Sequence, residues 1–253
     1  MASCVDAVFR VATEDDGSWQ HGGMTQDEAK ALVGKRAAEM VEDGMRVGLG
    51  TGTTSVMFIK ALGERVRAGL KIRCVASSDS STELGRSLGM DVVTLEELPE
   101  LDLYVDGADE VAVAPDGALQ LIKGGGAALL REKIVASAAD RFVCVVDESK
   151  IVEKLGRFPL PVEIIKMARP LVEPRLAELG LNPKLRMKKD GSGPVLTDEN
   201  NWILDCSARV IESPEETAAE IRSIVGVVEH GLFLGMAEMA LVAGEGGVSE
   251  ITA

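Results

Sequence analysis

Glu132 is a glutamate whose helical neighbours are all apolar. Its i−4, i−3, i+3 and i+4 positions hold Ala128, Leu129, Val135 and Ala136, so it has no ion-pair partner along the helix. Partial burial raises a carboxylate's pKa toward neutrality, which suits a general base. The alternative is a glutamate that snorkels from a half-buried helix. Just upstream, Lys123-Gly-Gly-Gly126 sets a lysine able to neutralise a developing oxyanion beside glycines that admit a ligand close to the backbone. Asp106 and Asp109, around Gly107 and followed by Glu110, could bind a metal, act as acid and base, or shape a turn. Metal is the weaker of these, because the only histidines are His21 and His230.

A third cluster, Gly48-Leu-Gly-Thr-Gly-Thr-Thr54, is a glycine-rich loop ahead of a helix. Its free backbone N–H groups and the helix's positive end together make an anion cradle. The dinucleotide fingerprint fails, because its last glycine would fall at Thr53, and no Gly-Lys-Ser/Thr follows for a Walker loop. The loop therefore suits one phosphate, unless it is only a tight strand–helix turn. Lys150 and Lys30 could add positive charge to the same rim; each alone reads as a solvated lysine.

These clusters need elements to hold them. Thr25 with Glu28 predicts a capping box, and Leu32, Val33, Ala37, Met40 and Val41 then recur with helical spacing up to Gly44. Strands are predicted at Met45–Leu49, Ile72–Ala76, Val92–Val93, Leu101–Val105, Leu119–Ile122 and Phe142–Val146. Helices are predicted between several of them, the last opening at Lys123–Gly126 and covering Ala127–Ala139. Unbroken apolar strands alternating with helices predict an α/β fold: an open, mostly parallel, Rossmann-like sheet with helices on both faces. All three clusters are expected at C-terminal strand ends, where such sheets place ligands. Beyond Gly156, Pro159 and Pro161 interrupt the chain. The pattern there predicts a smaller α+β lobe over residues 151–231, with a helix near Pro170–Leu179, strands at Lys184–Met187 and Trp202–Asp205, a helix near Glu215–Ile224 and strand Val227–His230. The catalytic domain is expected over 25–150, with 232–253 a candidate to return to it and 1–24 a frayed extension.

The 253 residues are 46% hydrophobic, enough to fill such a core. A formal charge of −14 supplies no basic footprint for nucleic acid and no polybasic membrane anchor. No apolar run approaches a membrane span, and the first 24 residues lack the basic start and apolar core of a signal peptide. The four cysteines (Cys4, Cys74, Cys144, Cys206) are far apart with no CxxC pair, so a reducing compartment, the cytoplasm, is expected.

Taken in order, the motifs resemble ribose-5-phosphate isomerase of the A type. The matching text is Gly50-Thr-Gly-Thr-Thr54, Ser77-Ser-Asp-Ser-Ser-Thr82, Tyr104-Val-Asp-Gly-Ala-Asp-Glu110 and Leu121-Ile-Lys-Gly-Gly-Gly-Ala127. It continues with Arg131-Glu-Lys-Ile134, Phe158-Pro-Leu-Pro-Val-Glu163 and Met167-Ala-Arg169. Two usual prolines are replaced, by Lys166 and by Val225, both in the second lobe.

The resemblance implies interconversion of ribose 5-phosphate and ribulose 5-phosphate, without metal or organic cofactor, by a homodimer or homotetramer. It implies that Glu132 carries a proton between C1 and C2 through a cis-enediolate. Lys123 and the amides of Gly124, Gly125 and Gly126 would stabilise the oxyanion. Asp106 and Asp109, with Gly107 and Ala108 between them, would hold sugar hydroxyls and assist ring opening. Thr51, Gly52, Thr53 and Thr54 would bind the phosphate, with Lys150 and Lys30 supplying charge. A phosphosugar-sensing domain of a transcription regulator would have no use for Glu132. An amino-sugar phosphate deaminase or sugar-lactone hydrolase is disfavoured by the adjoining Lys-Gly-Gly-Gly and Arg-Glu-Lys elements.

Overall fold

The computed structural model describes residues 24–208 and 210–253. The expectations for the N-terminal extension, Met24 apart, and for Cys4 fall outside the described residues. The first part of the chain runs α1 (Gln26–Glu39), β1 (Arg46–Leu49), α2 (Thr53–Arg67), β2 (Arg73–Ala76), α3 (Asp79–Ser87) and β3 (Asp91–Val92). It continues with β4 (Leu103–Asp106), β5 (Glu110–Val113), β6 (Leu119–Ile122), α4 (Leu129–Ser137) and β7 (Phe142–Asp147). Then follow β8 (Leu160–Ile164), α5 (Arg169–Glu178), β9 (Asn182–Leu185), β10 (Trp202–Ser207), α6 (Pro214–Ser223) and β11 (Val227–His230). The chain ends with β12 (Leu232–Leu234), β13 (Met239–Gly244) and β14 (Gly247–Thr252).

Seven strands form the main sheet in the order β14-β13-β7-β4-β1-β2-β3. Every pair in it is parallel except β13 with β14. The strands alternate faces, as the two-residue period of a strand requires. Val47, Leu49, Leu103, Val105, Val143 and Val145 pack beneath α1 and α2. On the opposite face Tyr104, Phe142, Cys144 and Val146 meet Val135 and Ala136 of α4, together with Val111, Leu119, Leu121 and Phe233. Thr25 caps α1 with the reciprocal capping box predicted for it. Cys74, Cys144 and Cys206 are buried free thiols.

The run Leu119–Ile122 predicts a strand of the parallel sheet, but the structure differs. β6 pairs antiparallel with β5 and with β12 in a separate three-stranded sheet. The reason is the tight return at Ala114–Ala118, where Ala114 N–H donates to Ala118 O and Gly117 has φ +95°. So short a connection makes a hairpin, whereas parallel pairing needs a crossover of about a dozen residues or more. Lys123 therefore follows an antiparallel strand, unlike the other two clusters.

The second correction concerns Pro161. Pro159 lies in the irregular segment that ends just before β8, as expected of a break, but Pro161 does not. The chain is not interrupted there, for β8 contains Pro161 and lies inside the sheet β11-β8-β10-β9. Pro161 pairs with Asp205 of β10, and its carbonyl accepts from Gly231 N–H just past β11. Its missing donor thus falls where the β11 ladder has ended, a position a sheet tolerates. Leu160, Val162, Ile164, Val172, Leu176, Leu204 and Ile221 fill the core between this sheet and α5 and α6. The third correction is at α4, which begins at Leu129 rather than Ala127. Ala127 has φ +64°, outside the helical region.

Candidate active site

Asp106 is the last residue of β4, and its register explains the neighbouring glycine. Leu49 pairs with Val105, so Gly50 comes level with Asp106, and a Cβ at Gly50 would collide with that carboxylate. The Asp106 side chain is fully buried and accepts five hydrogen bonds. Its Oδ1 takes Thr51 N–H at 2.9 Å, Ser55 Oγ–H at 2.7 Å and Gly107 N–H at 2.8 Å. Its Oδ2 takes the Tyr104 hydroxyl and, at 2.8 Å, Lys123 Nζ.

Lys123 lies on the same buried floor. Besides Asp106, its Nζ donates to Gly107 O and stands 3.2 Å from Glu132 Oε2. Burial opposes its charge, but Asp106 and then Glu132 outweigh that and hold the ammonium above its usual pKa. The Glu132 contact is ionic and lacks hydrogen-bond geometry, so Oε2 remains a buried oxygen without a hydrogen-bond partner. Burial pushes the Glu132 carboxyl up to about 8; Lys123 pulls it down in part, and Asp106 pushes it up again. Glu132 is thus a buried carboxylate in reach of one cation, not a snorkelling one.

Above this floor opens a cleft of about 260 Å³. Lys30, Thr51, Gly52, Thr53, Thr54, Gly107, Ala108, Asp109, Lys123, Gly124, Gly125, Gly126, Glu132 and Lys150 line it. Every site residue predicted above is brought together there except Asp106, which lies beneath it. A larger concavity of about 680 Å³ lies elsewhere, walled by α6, Lys133, His230 and Leu232. Of the site residues predicted from the sequence it gathers none.

At one end of the cleft Gly52, with φ +103°, turns the chain into α2, and no side chain among the described residues caps that helix. Its first-turn N–H groups are thereby open to an anion. The Thr51 hydroxyl is engaged with Ser77 and Ser78, at 2.8 and 2.9 Å, which leaves Thr53 and Thr54 as the open threonines. At the other end Asp109 Oδ2 accepts Gly125 N–H at 2.8 Å. Burial raises the Asp109 pKa, against the pull of that bond and of Lys123. Among the described residues no group of three His, Cys, Asp or Glu side chains converges as a metal site.

Two contributors have little or no signal in the sequence. Gln26 lines the cleft, and its one signal is the i, i+4 spacing from Lys30 on α1. Arg186, which follows β9, reaches the glycine loop, and no spacing signals that contact.

A seat for an anion, a buried ammonium and a protonatable buried carboxylate around one cleft define an α/β enzyme that moves protons on a small anionic substrate. The comparisons narrow that class. The sequence model of the family Ribose 5-phosphate isomerase A (phosphoriboisomerase A) matches residues 73–247. Ribose-5-phosphate isomerase A of Sinorhizobium fredii is 46% identical over 91% of this chain and 100% of its own. That of Methylorubrum extorquens is 50% identical over 87% and 94%. Among solved structures, ribose 5-phosphate isomerase A from Methanocaldococcus jannaschii superposes with TM-score 0.85 at 40% identity, over 90% of this chain and 100% of its own. A D-ribose-5-phosphate isomerase in complex with phospho-erythronic acid gives 0.86 at 36% identity, over 91% and 100%. The chain belongs to the ribose 5-phosphate isomerase A family.

Proposed function

We propose that this chain interconverts D-ribose 5-phosphate and D-ribulose 5-phosphate, with Glu132 carrying a proton between C1 and C2. The observation that supports it best is the Glu132 carboxylate, buried at the cleft wall with one oxygen unsatisfied and Lys123 at 3.2 Å. In the open-chain aldose, Glu132 takes the proton from C2 while O1 gains negative charge. The resulting cis-enediolate loses that charge again when a proton passes between O1 and O2 and Glu132 returns its own to C1. No electron leaves the substrate, so atoms and charge balance without an oxidant.

Lys123 stabilises the developing oxyanion. An ammonium has three N–H donors; two go to Asp106 and Gly107 O, and the third is left for a substrate oxygen. Gly126 N–H, which has no protein acceptor among the described residues, adds a second donor. A preorganised donor of this kind in a dry site contributes on the order of 10²–10³ in rate. Gly125 N–H is held by Asp109 and is available only if that bond opens.

The two aspartates divide differently from the expectation. Asp106 has no exposed surface and five donors already, so its role is to fix Lys123 and the Thr51 backbone. Asp109, at the cleft wall, is the carboxylate that reaches a sugar hydroxyl and assists ring opening. The phosphate sits on the first turn of α2 at Gly52–Thr54, between Lys30 and Lys150. Phospho-erythronic acid, bound by a relative, carries a phosphate and a planar carboxylate on a short polyol, the layout of the enediolate phosphate. A homodimer or homotetramer working in the cytoplasm, in the non-oxidative pentose phosphate pathway, completes the reading. Among the described residues no helix is long and apolar enough to cross a membrane.

The test is a coupled assay of ribose 5-phosphate conversion, with and without chelator, on wild type and Glu132→Gln. Turnover that ignores the chelator and drops about 10²–10⁴-fold in the variant is expected. A fully active Glu132→Gln enzyme would sink the mechanism, and chelator-sensitive wild type would sink its metal-free form.

A further inference from the structure

Every residue lining the cleft comes from positions 26–150, yet Arg186 of the second lobe hydrogen-bonds the catalytic loop. Arg186 follows β9 and is anchored in the lobe's sheet, its N–H donating to Ile203 O and its O accepting from Val195 N–H. Its guanidinium forks the Asp205 carboxylate, Nε to Oδ2 at 2.9 Å and Nη2 to Oδ1 at 2.5 Å. That leaves Nη1, which donates to Gly124 O at 2.8 Å and to Gly125 O at 3.2 Å. Only the planar fork of arginine serves a carboxylate with one edge and two carbonyls with the other.

The consequence follows from the trans peptide, in which C=O and N–H of one unit point in opposite directions. Arg186 draws Gly124 O toward the lobe, so the N–H of the same unit, that of Gly125, points away, and it meets Asp109 Oδ2 at 2.8 Å. Arg186 also draws Gly125 O, so the next N–H, that of Gly126, is turned away from the lobe as well. Gly126 lines the cleft, and its N–H has no protein acceptor among the described residues. The loop cannot hold this orientation by its own side chains. Its one internal backbone tie is the turn bond from Ala127 N–H to Gly124 O at 3.0 Å, and with glycine at three successive positions that single bond leaves the backbone a wide choice of conformations.

We propose that Arg186, braced by Asp205, is a positioning residue that sets the direction of the Gly125 and Gly126 amides, and so builds the oxyanion site from the second lobe. The inference rests on the isomerase reading above and adds to it a residue outside the cleft.

The test compares wild type, Arg186→Ala, Arg186→Lys and Asp205→Asn in two measurements. Steady-state kinetics on ribose 5-phosphate should show kcat of Arg186→Ala lower by about 10- to 100-fold, as for a misplaced catalytic group. KM should stay within about threefold, because the phosphate seat lies on α2. Arg186→Lys should recover little, since an ammonium cannot fork Asp205 and hold the carbonyls together. Asp205→Asn keeps the arginine and loosens its brace, so a smaller loss of the same kind is expected even if Arg186→Ala folds poorly.

Calorimetric titration supplies the second readout. Arg186→Ala should bind phospho-erythronic acid about tenfold more weakly and inorganic phosphate as well as wild type does. Unchanged kcat and unchanged phospho-erythronic acid affinity would overturn the proposal. So would an equal loss of affinity for both anions, which marks general damage to the cleft. If wild type fails to turn over ribose 5-phosphate, the isomerase reading falls, while the two titrations still decide what Arg186 does.

Discussion

Lys123 Nζ stands 3.2 Å from Glu132 Oε2 with both side chains almost wholly buried, and the contact lacks hydrogen-bond geometry. A cation this near would ordinarily keep a carboxylate acidic, yet burial outweighs it and the Glu132 carboxyl is pushed up to about 8. The ammonium is shared with Asp106 and Gly107 O, so it neutralises Glu132 only in part. A base so prepared is basic enough to take a carbon-bound proton, and once protonated it leaves the Lys123 charge to face the negative charge that has moved to the substrate oxygen.

The first prediction is the pH dependence of kcat/KM. The base works only when ionised, and its ionised fraction rises with pH, so kcat/KM should climb through a midpoint near pH 8. Measurements above pH 7 avoid the substrate phosphate, whose second ionisation falls near 6. A profile already flat at pH 7 would remove Glu132 from the role of the free enzyme's base.

Stability should run the other way. The native carboxyl keeps its proton up to about pH 8, whereas the unfolded chain releases it near the ordinary 4.5. The native state binds more protons across that window, so this group's contribution weakens the fold as pH rises through it. Glu132→Gln removes the penalty while keeping the shape. Its melting temperature should exceed that of wild type at pH 9, on the order of 10 °C for a chain of this size. The gap should close toward pH 4.5. Equal melting temperatures at pH 9 would mean that the ionised carboxylate is not strained in its site.

Much of this was legible because the signals are local. The Thr25–Glu28 capping box, the apolar neighbours of Glu132 and the glycines at 50 and 52 each act within a turn or two, and the elements they mark lie within a residue or two of expectation. Strand partnership was not legible, because β6 and a parallel strand share the same apolar run and only the turn at Gly117 tells them apart. The burial of Asp106 was hidden for a similar reason. Its five donors come from β4, α2, the loops beside them and Lys123 after β6, 1 to 55 residues away along the chain. Arg186 reaches across 62 residues to Gly124 and has no local sign at all.

The phosphate seat makes a separable prediction. Lys30 and Lys150 line the cleft beside the open end of α2 but touch neither Asp106 nor Glu132. Replacing either by alanine removes uniform binding, which raises KM and leaves kcat alone. We expect KM for ribose 5-phosphate to rise about 3- to 10-fold in each variant, with kcat within about twofold, from the loss of one charge-assisted contact. Inhibition by inorganic phosphate should weaken in parallel. A fall in kcat at constant KM would instead put these lysines at the reacting carbons.

Gly50 and Gly52 offer the sharpest contrast, because two residues of one loop are glycine for different reasons. Gly52 has φ +103°, and a Cβ there would meet nothing within 4 Å, so Gly52→Ala costs backbone strain alone, roughly 1–2 kcal/mol. Gly50 is not at positive φ, yet its Cβ would overlap the Asp106 carboxylate. That carboxylate has no free side to move into, since its donors surround it. Gly50→Ala must therefore displace Asp106 and, through it, Lys123. We expect kcat to fall at least about 100-fold, as a misplaced catalytic group does, together with an overpacking loss of roughly 1–3 kcal/mol by denaturant titration. Gly52→Ala should lose comparable stability and raise KM at the phosphate end, with the larger share of kcat retained. If Gly50→Ala kept wild-type kcat, Asp106 would not be what holds Lys123 in place.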